Sequence, residues 1–465
     1  MASFAPINGR LCHIFSPRYC MFTSSLITAL GGLITAFAPS LAVFLIGRVV
    51  SGVGAAGIFS VSIILVVQLT SPKRRGLFNG MLNTAFTIGV ATGAVAAGAI
   101  EPVLGWRSLF WMQVPLAIVA ASTLLITIPS SLSTNNSQNH HSQSILSKLA
   151  SIDYIGAALL VSSICLLLYG LSTQRITILP IILSVFLFPL FLYQEIYASS
   201  DPIIPVTVLR SRGALLTCLA TLGFMMARWS ILFYTPVYAT AVRIWTPAQS
   251  GSLLIPTNLG FALGGLIPGA VHIRRTGPFW GSCLVIFALF PVTILLLACV
   301  ATDTSPVWAV VLVVFVNGLF TGAALNYTLA HVLHLVLPEV RFIVTSLLAT
   351  FRGFAGTFGS AIGGGIFVRA LRASLERGFE EHGVTGKKDL IRKLLGSPRV
   401  VRQLSGIERA VAVKGYIDAL RALWFSAVVL TCFMWFVQAG TGWSAPKMSE
   451  EEEDRFSNRD GTRSR

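Results

Sequence analysis

Apolar residues run along this chain in long unbroken blocks, and the polar residues collect in short stretches between them. Twelve blocks stand out, near 19–38, 41–69, 80–100, 108–129, 153–172, 178–197, 213–241, 247–271, 278–300, 306–335, 343–368 and 416–438. None has the strict alternation of a half-buried strand or the single apolar stripe of a water-facing helix. Each therefore predicts a helix with apolar surroundings on every side. A bilayer core takes about 20 apolar residues per helix, and a helix bonds its own backbone amides where no water can. The pattern predicts an all-α integral membrane protein whose longer helices tilt or project into solvent.

The polar breaks set the domain organisation. Ser130–Lys148, rich in Ser, Asn, Gln and His, has nothing to bury and reads as a linker. The expected units are an N-terminal helix bundle (1–129), the linker (130–152), two further helices (153–197), a six-helix C-terminal bundle (213–438) and an acidic tail (439–465). Basic residues fall in every second short loop: Arg10 and Arg18, Lys73-Arg74-Arg75, Lys148, Arg210 and Arg212, Arg274-Arg275 and Arg341. That bias puts those loops, the linker and the tail in the cytosol. The segment 369–415 then becomes a long charged loop on the non-cytosolic side, in which Lys387–Leu395 reads as either a short surface helix or solvated chain.

Composition agrees. Of 465 residues 54% are hydrophobic and 11% charged, and the mean hydropathy of +0.76 is incompatible with a single aqueous domain. A net charge of +16 would suggest nucleic acid in a soluble protein; here the cations sit in loops and report topology instead, so no nucleic-acid partner is expected. The cysteines have no metal-ligand or redox spacing. No Walker A sequence, nucleophile–base pair or metal cluster is present, so the expectation is a non-enzyme that uses no cofactor and draws its energy from an ion gradient.

Three segments carry the candidate chemistry of the first half. Gly9-Arg10 with Arg18 frames a basic loop. Gly47-Arg48-Val49-Val50-Ser51-Gly52-Val53-Gly54 places a guanidinium inside an apolar block, where it costs several kcal/mol unless it faces water, meets a partner or snorkels to the interface. Gly89, Gly93 and Gly98 line small residues along one face of the next helix, as a packing surface does. In order and spacing these segments resemble the first three signature motifs of the major facilitator superfamily. The resemblance implies that Gly9, Arg10 and Arg18 belong to a latch between half-domains, with His13 standing where the family has an acid. It implies that Arg48, with Gly52, faces a cavity and tunes proton transfer, and that Gly89, Gly93 and Gly98 form the antiporter helix. Ala94 replaces the proline of strict exporters.

In the second half, Arg228, Asn258, Asn317, Asn326, His331 and His334 interrupt apolar blocks. Arg228 and Tyr234 are candidates to line a substrate path, and Arg352 opens a glycine-rich helix; interhelical hydrogen bonding is the competing role for the asparagines. Asp153-Tyr154-Ile155-Gly156 and Asp201-Pro202-Ile203-Ile204-Pro205 are similar to segments of the fungal fourteen-helix proton antiporters. That branch includes vacuolar basic amino acid transporters and multidrug exporters. The resemblance implies a monomeric, proton-coupled antiporter of a small-molecule substrate in the vacuolar or plasma membrane. Ala94 favours the amino-acid type, with drug, toxin or metabolite efflux as the alternative and a transport-dead sensor as a third reading. Met1–Asn8 resembles the end of the family's second helix, so the chain aligns with helices three to fourteen and twelve spans of an expected fourteen are present.

Overall fold

The computed structural model describes residues 11, 15–71, 74–128, 153–172, 176–198, 211–273, 278–336, 341–382 and 388–442. Their regular structure is helical, and twelve helices are long and apolar enough to cross a membrane. The N-terminal group comprises α1 (Pro17–Ala36), α2 (Leu41–Leu69), α3 (Arg75–Leu104), and a fourth span in two pieces, α4 (Ser108–Trp111) and α5 (Gln113–Thr127). Next come α6 (Tyr154–Ser172) and α7 (Ile178–Tyr193), the latter ending in a π-turn, Gln194–Ala198. The C-terminal group comprises α8 (Arg212–Ala241), α9 (Pro247–Ser252) and α10 (Leu254–Val271), which share one span, then α11 (Trp280–Val300) and α12 (Val307–His334). It continues through α13 (Arg341–Glu381), the short α14 (Lys388–Gly396) and α15 (Gly406–Ala439).

Local chemistry sets several boundaries. Pro17 starts α1, Ser40 accepts from the Val43 amide at the start of α2, and a reciprocal Thr246–Gln249 capping box opens α9. Gly105, at φ 76°, ends α3 in a conformation that other residues rarely adopt. The segment 369–415, expected as a long loop, is helical over most of its length. α13 runs on to Glu381 with an Arg372–Glu376 ion pair one turn apart (2.8 Å), and α15 already starts at Gly406. A 41-residue helix is about 60 Å long, twice the hydrocarbon thickness, so the far part of α13 stands outside the bilayer. α14 falls at the site where a short surface helix was one of the two expectations.

Lipid tails are as apolar as Leu, so helices in a bilayer gain little by burying hydrophobic faces on one another and rely on close packing and hydrogen bonds. Three glycine seams supply that closeness. Between α1 and α2, Gly31 lies against Ser51, Gly47 against Thr35 and Gly54 against Thr28. Between α10 and α12, Gly260 and Gly264 face the carbonyls of Phe315 and Leu319, while Gly318 and Gly322 face those of Thr257 and Phe261. The third seam joins the two halves: Gly76 meets Gly269, Gly80 meets Gly265, Ala94 meets Gly251 and Gly98 meets Pro247, an antiparallel contact along the whole of α3.

α3 therefore leans on the C-terminal group and is little buried, whereas α8 is well buried at the centre of that group. Gly89 and Gly93 have nothing within 4 Å of where a Cβ would stand. α6 and α7 form a hairpin, pinned by Ser163 and Ser184 (3.2 Å), which rests against α13. α8 is held between α13 and α15, and α15 packs on α11.

The glycine seams give a direct test. Gly318→Leu must force α10 away from α12 and should lower stability by about 1–3 kcal/mol or more, seen as a fall in Tm of the detergent-solubilised protein. Gly89→Ala, which meets open space, should leave Tm unchanged or higher.

Candidate functional site

Polar side chains inside apolar helices either find partners or lose several kcal/mol each, so their bonding decides what they can do. Arg228 on α8 is 2% exposed. Its Nη1 donates to Thr257 Oγ1 and to Asn317 Oδ1 (3.2 Å), its Nη2 donates to the Thr257 carbonyl (3.3 Å), and its guanidinium lies 5.9 Å from the Phe261 ring centre. Asn317 passes the network on, donating from Nδ2 to Thr293 Oγ1 (2.8 Å). One cation thus ties α8 to α10, α12 and α11 through neutral acceptors, with no carboxylate among its partners.

The other candidates divide by environment. Asn326 Nδ2 donates to the Gly265 carbonyl, and Asn326 Oδ1 accepts from Asn79 Nδ2 (2.7 Å), a buried side-chain bond between the two halves. Asn258 is buried beside Thr257, and its Nδ2 has no partner among the described residues. Arg352 on α13 is buried; its Nη2 donates to the Leu325 carbonyl of α12 (2.8 Å) and its Nε has no partner among the described residues. Tyr234, half-buried, sits against Phe367 with ring centres 4.6 Å apart and makes no bond to Arg228.

Arg48 is exposed on α2 and lies 5.4 Å from the Phe110 ring centre, as a cation over an aromatic face does. The glycines that bring α2 onto α1 are Gly47 and Gly54; Gly52 is half-exposed. Arg18 keeps a shielded Nε without a partner among the described residues. Gly9 and Arg10 lie outside the described residues. Of the third motif, Gly98 is in the seam with Pro247, while Gly89 and Gly93 face open space.

Two further features were not marked in the sequence. Thr257, Thr293 and Asn79 complete the buried networks, and each is a small polar residue in or beside an apolar block. At the end of the bundle away from the Arg74 loop, Glu101 on α3 and Arg399 form a cross-half ion pair (2.9 Å), whose hydrogen bond raises the Arg399 guanidinium above its ordinary range. Arg399 is exposed and Glu101 half-exposed, so the pair adds little stability.

A twelve-span helical chain in two halves, joined by an antiparallel seam and carrying a guanidinium in its second span, is a specific arrangement. Residues 1–360 match the Major Facilitator Superfamily. The chain belongs to that superfamily. It is an integral, multi-pass membrane protein.

Among curated superfamily members, the chain is 25% identical to MFS transporter L2 of Phoma sp., over 92% of this chain and 71% of that protein. It is 24% identical to vacuolar basic amino acid transporter 2 of Saccharomyces cerevisiae, over 92% of each. Others are named as a multidrug resistance protein, of which the chain spans 82%, an efflux pump and MFS-type transporters; of the efflux pump and three of these transporters it spans about half the length, between 47% and 56%. The fold is also that of the human organic anion transporter MFSD10 (TETRAN), with a TM-score of 0.57 at 15% identity, covering 94% of this chain and 81% of that one.

The Arg228 network predicts its own weak point. Asn317→Leu removes one acceptor from a buried cation and one donor from Thr293, and should destabilise by about 1–3 kcal/mol, measured as a lower Tm in detergent. Phe315→Leu, two residues away at a half-buried position with no side-chain hydrogen bond to lose, should cost less.

Proposed function

We propose that this superfamily member is a secondary carrier that moves a small organic solute across the bilayer in exchange for protons. The observation that carries the reading is the sign of the charge inside the membrane zone. Arg48, Arg228 and Arg352 lie within spans, the acids that fall in spans, Glu101, Glu195 and Asp418 among them, stand toward span ends, and the sequence has no Asp or Glu from residue 17 to 100, 202 to 302, 304 to 338 or 340 to 375. A dibasic cation entering such an interior meets like charge without a carboxylate to hold it, and at low effective dielectric that repulsion is large. The chemistry favours a neutral or anionic solute, as in metabolite or drug efflux.

The vacuolar basic amino acid reading is the second candidate. Coverage of 92% of the yeast relative and the Asp153-Tyr154-Ile155-Gly156 segment support it, as they support the vacuolar membrane as a location beside the plasma membrane. Arg48 is the residue assigned to the coupling path. Its exposure on α2 and its seat on Phe110 leave the guanidinium able to meet water or solute.

Vesicles with an imposed pH gradient test both points. Gradient-driven flux of an anionic dye should exceed flux of labelled arginine or of a cationic dye, and Arg48→Ala should lower it about tenfold or more, roughly 1.4 kcal/mol in transition-state terms. Flux of arginine alone would replace the anion reading with the amino-acid one. Gradient-driven flux untouched by Arg48→Ala would remove Arg48 from the path.

A further inference from the structure

At the end of the bundle that carries α14, the tips of α8, α11 and α15 frame a cavity of about 700 Å³. α15 lines it with Arg409, Lys414 and Arg421, spread around the helix over a rise of about 18 Å. Arg409 and Lys414 are exposed and stand in no ion pair among the described residues, while Arg421 spends its Nε on the Ala298 carbonyl at a long 3.4 Å. Two acids stand on the wall, Asp303 and Asp418, the latter accepting from Ser374 Oγ (2.9 Å), so three cations face two carboxylates and the lining keeps a net positive charge.

The walls are fixed in advance. Arg243 Nη1 donates to the carbonyls of Asp303 and Ser305 (3.1 Å for the latter), which holds the α11–α12 connection in place. Ile244, at the lip, has φ 57°. A β-branched residue in the left-handed region costs about 1–3 kcal/mol and persists where its surroundings overdetermine it. Here the Trp245 amide donates to the Ala239 carbonyl (3.0 Å), and the Thr246–Gln249 capping box follows directly.

We propose that this cavity is a binding site for a small carboxylate-bearing organic anion, held by Arg409, Lys414 and Arg421. Guanidinium and ammonium groups with unused donors form charge-assisted hydrogen bonds to carboxylates, and a prearranged wall spares the ordering cost of binding. The site is separate from the path through Arg48 and needs no gradient to fill. The reading of the chain as a carrier is therefore not required for it.

The test is titration of citrate into the full chain in neutral-lipid nanodiscs at low salt, followed by calorimetry, with choline as the cationic control. Saturable citrate binding should weaken about tenfold or more in the Arg409→Gln/Lys414→Gln double variant and fall as salt rises past the screening range. Both residues are exposed and unpaired, so the variant should keep its Tm. Arg372→Gln, which removes a cation at the same end but outside the cavity, should bind as the unmodified chain does. Absence of saturable binding, equal binding of choline, or citrate affinity unchanged in the double variant would overturn the proposal. Citrate binding without gradient-driven flux would sink the carrier reading alone, and flux without citrate binding would sink this site alone.

Discussion

Backbones can approach closely only where side chains are missing, and the architecture depends on that constraint. At the α10–α12 crossing the atom nearest each absent Cβ is a carbonyl oxygen of the partner helix. Such an approach sets Cα–H groups against carbonyls, contacts worth about 0.5–1 kcal/mol each. In water these would be minor beside hydrophobic burial. In lipid, where apolar faces gain nothing by leaving the solvent, they rank with the main attractive terms. The Arg228 network depends on this crossing, because Thr257 and Asn317 reach the same guanidinium only while their helices touch.

The buried cations follow a related logic. A guanidinium in hydrocarbon is expensive, yet Arg228 and Arg352 are bonded to hydroxyl, amide and carbonyl oxygens and have no acid beside them. Neutral acceptors satisfy the donors and leave the net charge in place. The two buried guanidinium groups consequently keep a positive charge that a carboxylate partner would have cancelled.

Much of the fold was legible because lipid solvation makes the pattern coarse. An unbroken apolar block has one structural solution in a bilayer, and the span order read from the sequence agrees with the helices observed. What fails is the length of elements that leave the membrane. Past residue 369 the chain turns charged, and charge in an apolar-block reading signals a loop; the Arg372–Glu376 spacing instead continues the helix into solvent. The repeats Gly260-x-x-x-Gly264 and Gly318-x-x-x-Gly322 were readable as close-packing signals, but which one faces which follows only from the assembled bundle. The candidate site was legible in its residue types and not in its wiring. Arg228, Asn317 and Asn326 stand out as polar intruders, whereas Thr257 and Thr293 look like ordinary small residues until a cation or an amide is placed beside them.

The seam between α3 and the α9–α10 span has a mechanical corollary. Its contacts recur at four-residue steps, Gly76 and Gly80 against Gly269 and Gly265 at one end, Ala94 and Gly98 against Gly251 and Pro247 at the other. A one-turn slide would set Gly76 against Ile273 or Gly80 against Phe261, so the small residues match at a single register. The joint is therefore keyed, and it fixes the lengthwise position of one half on the other.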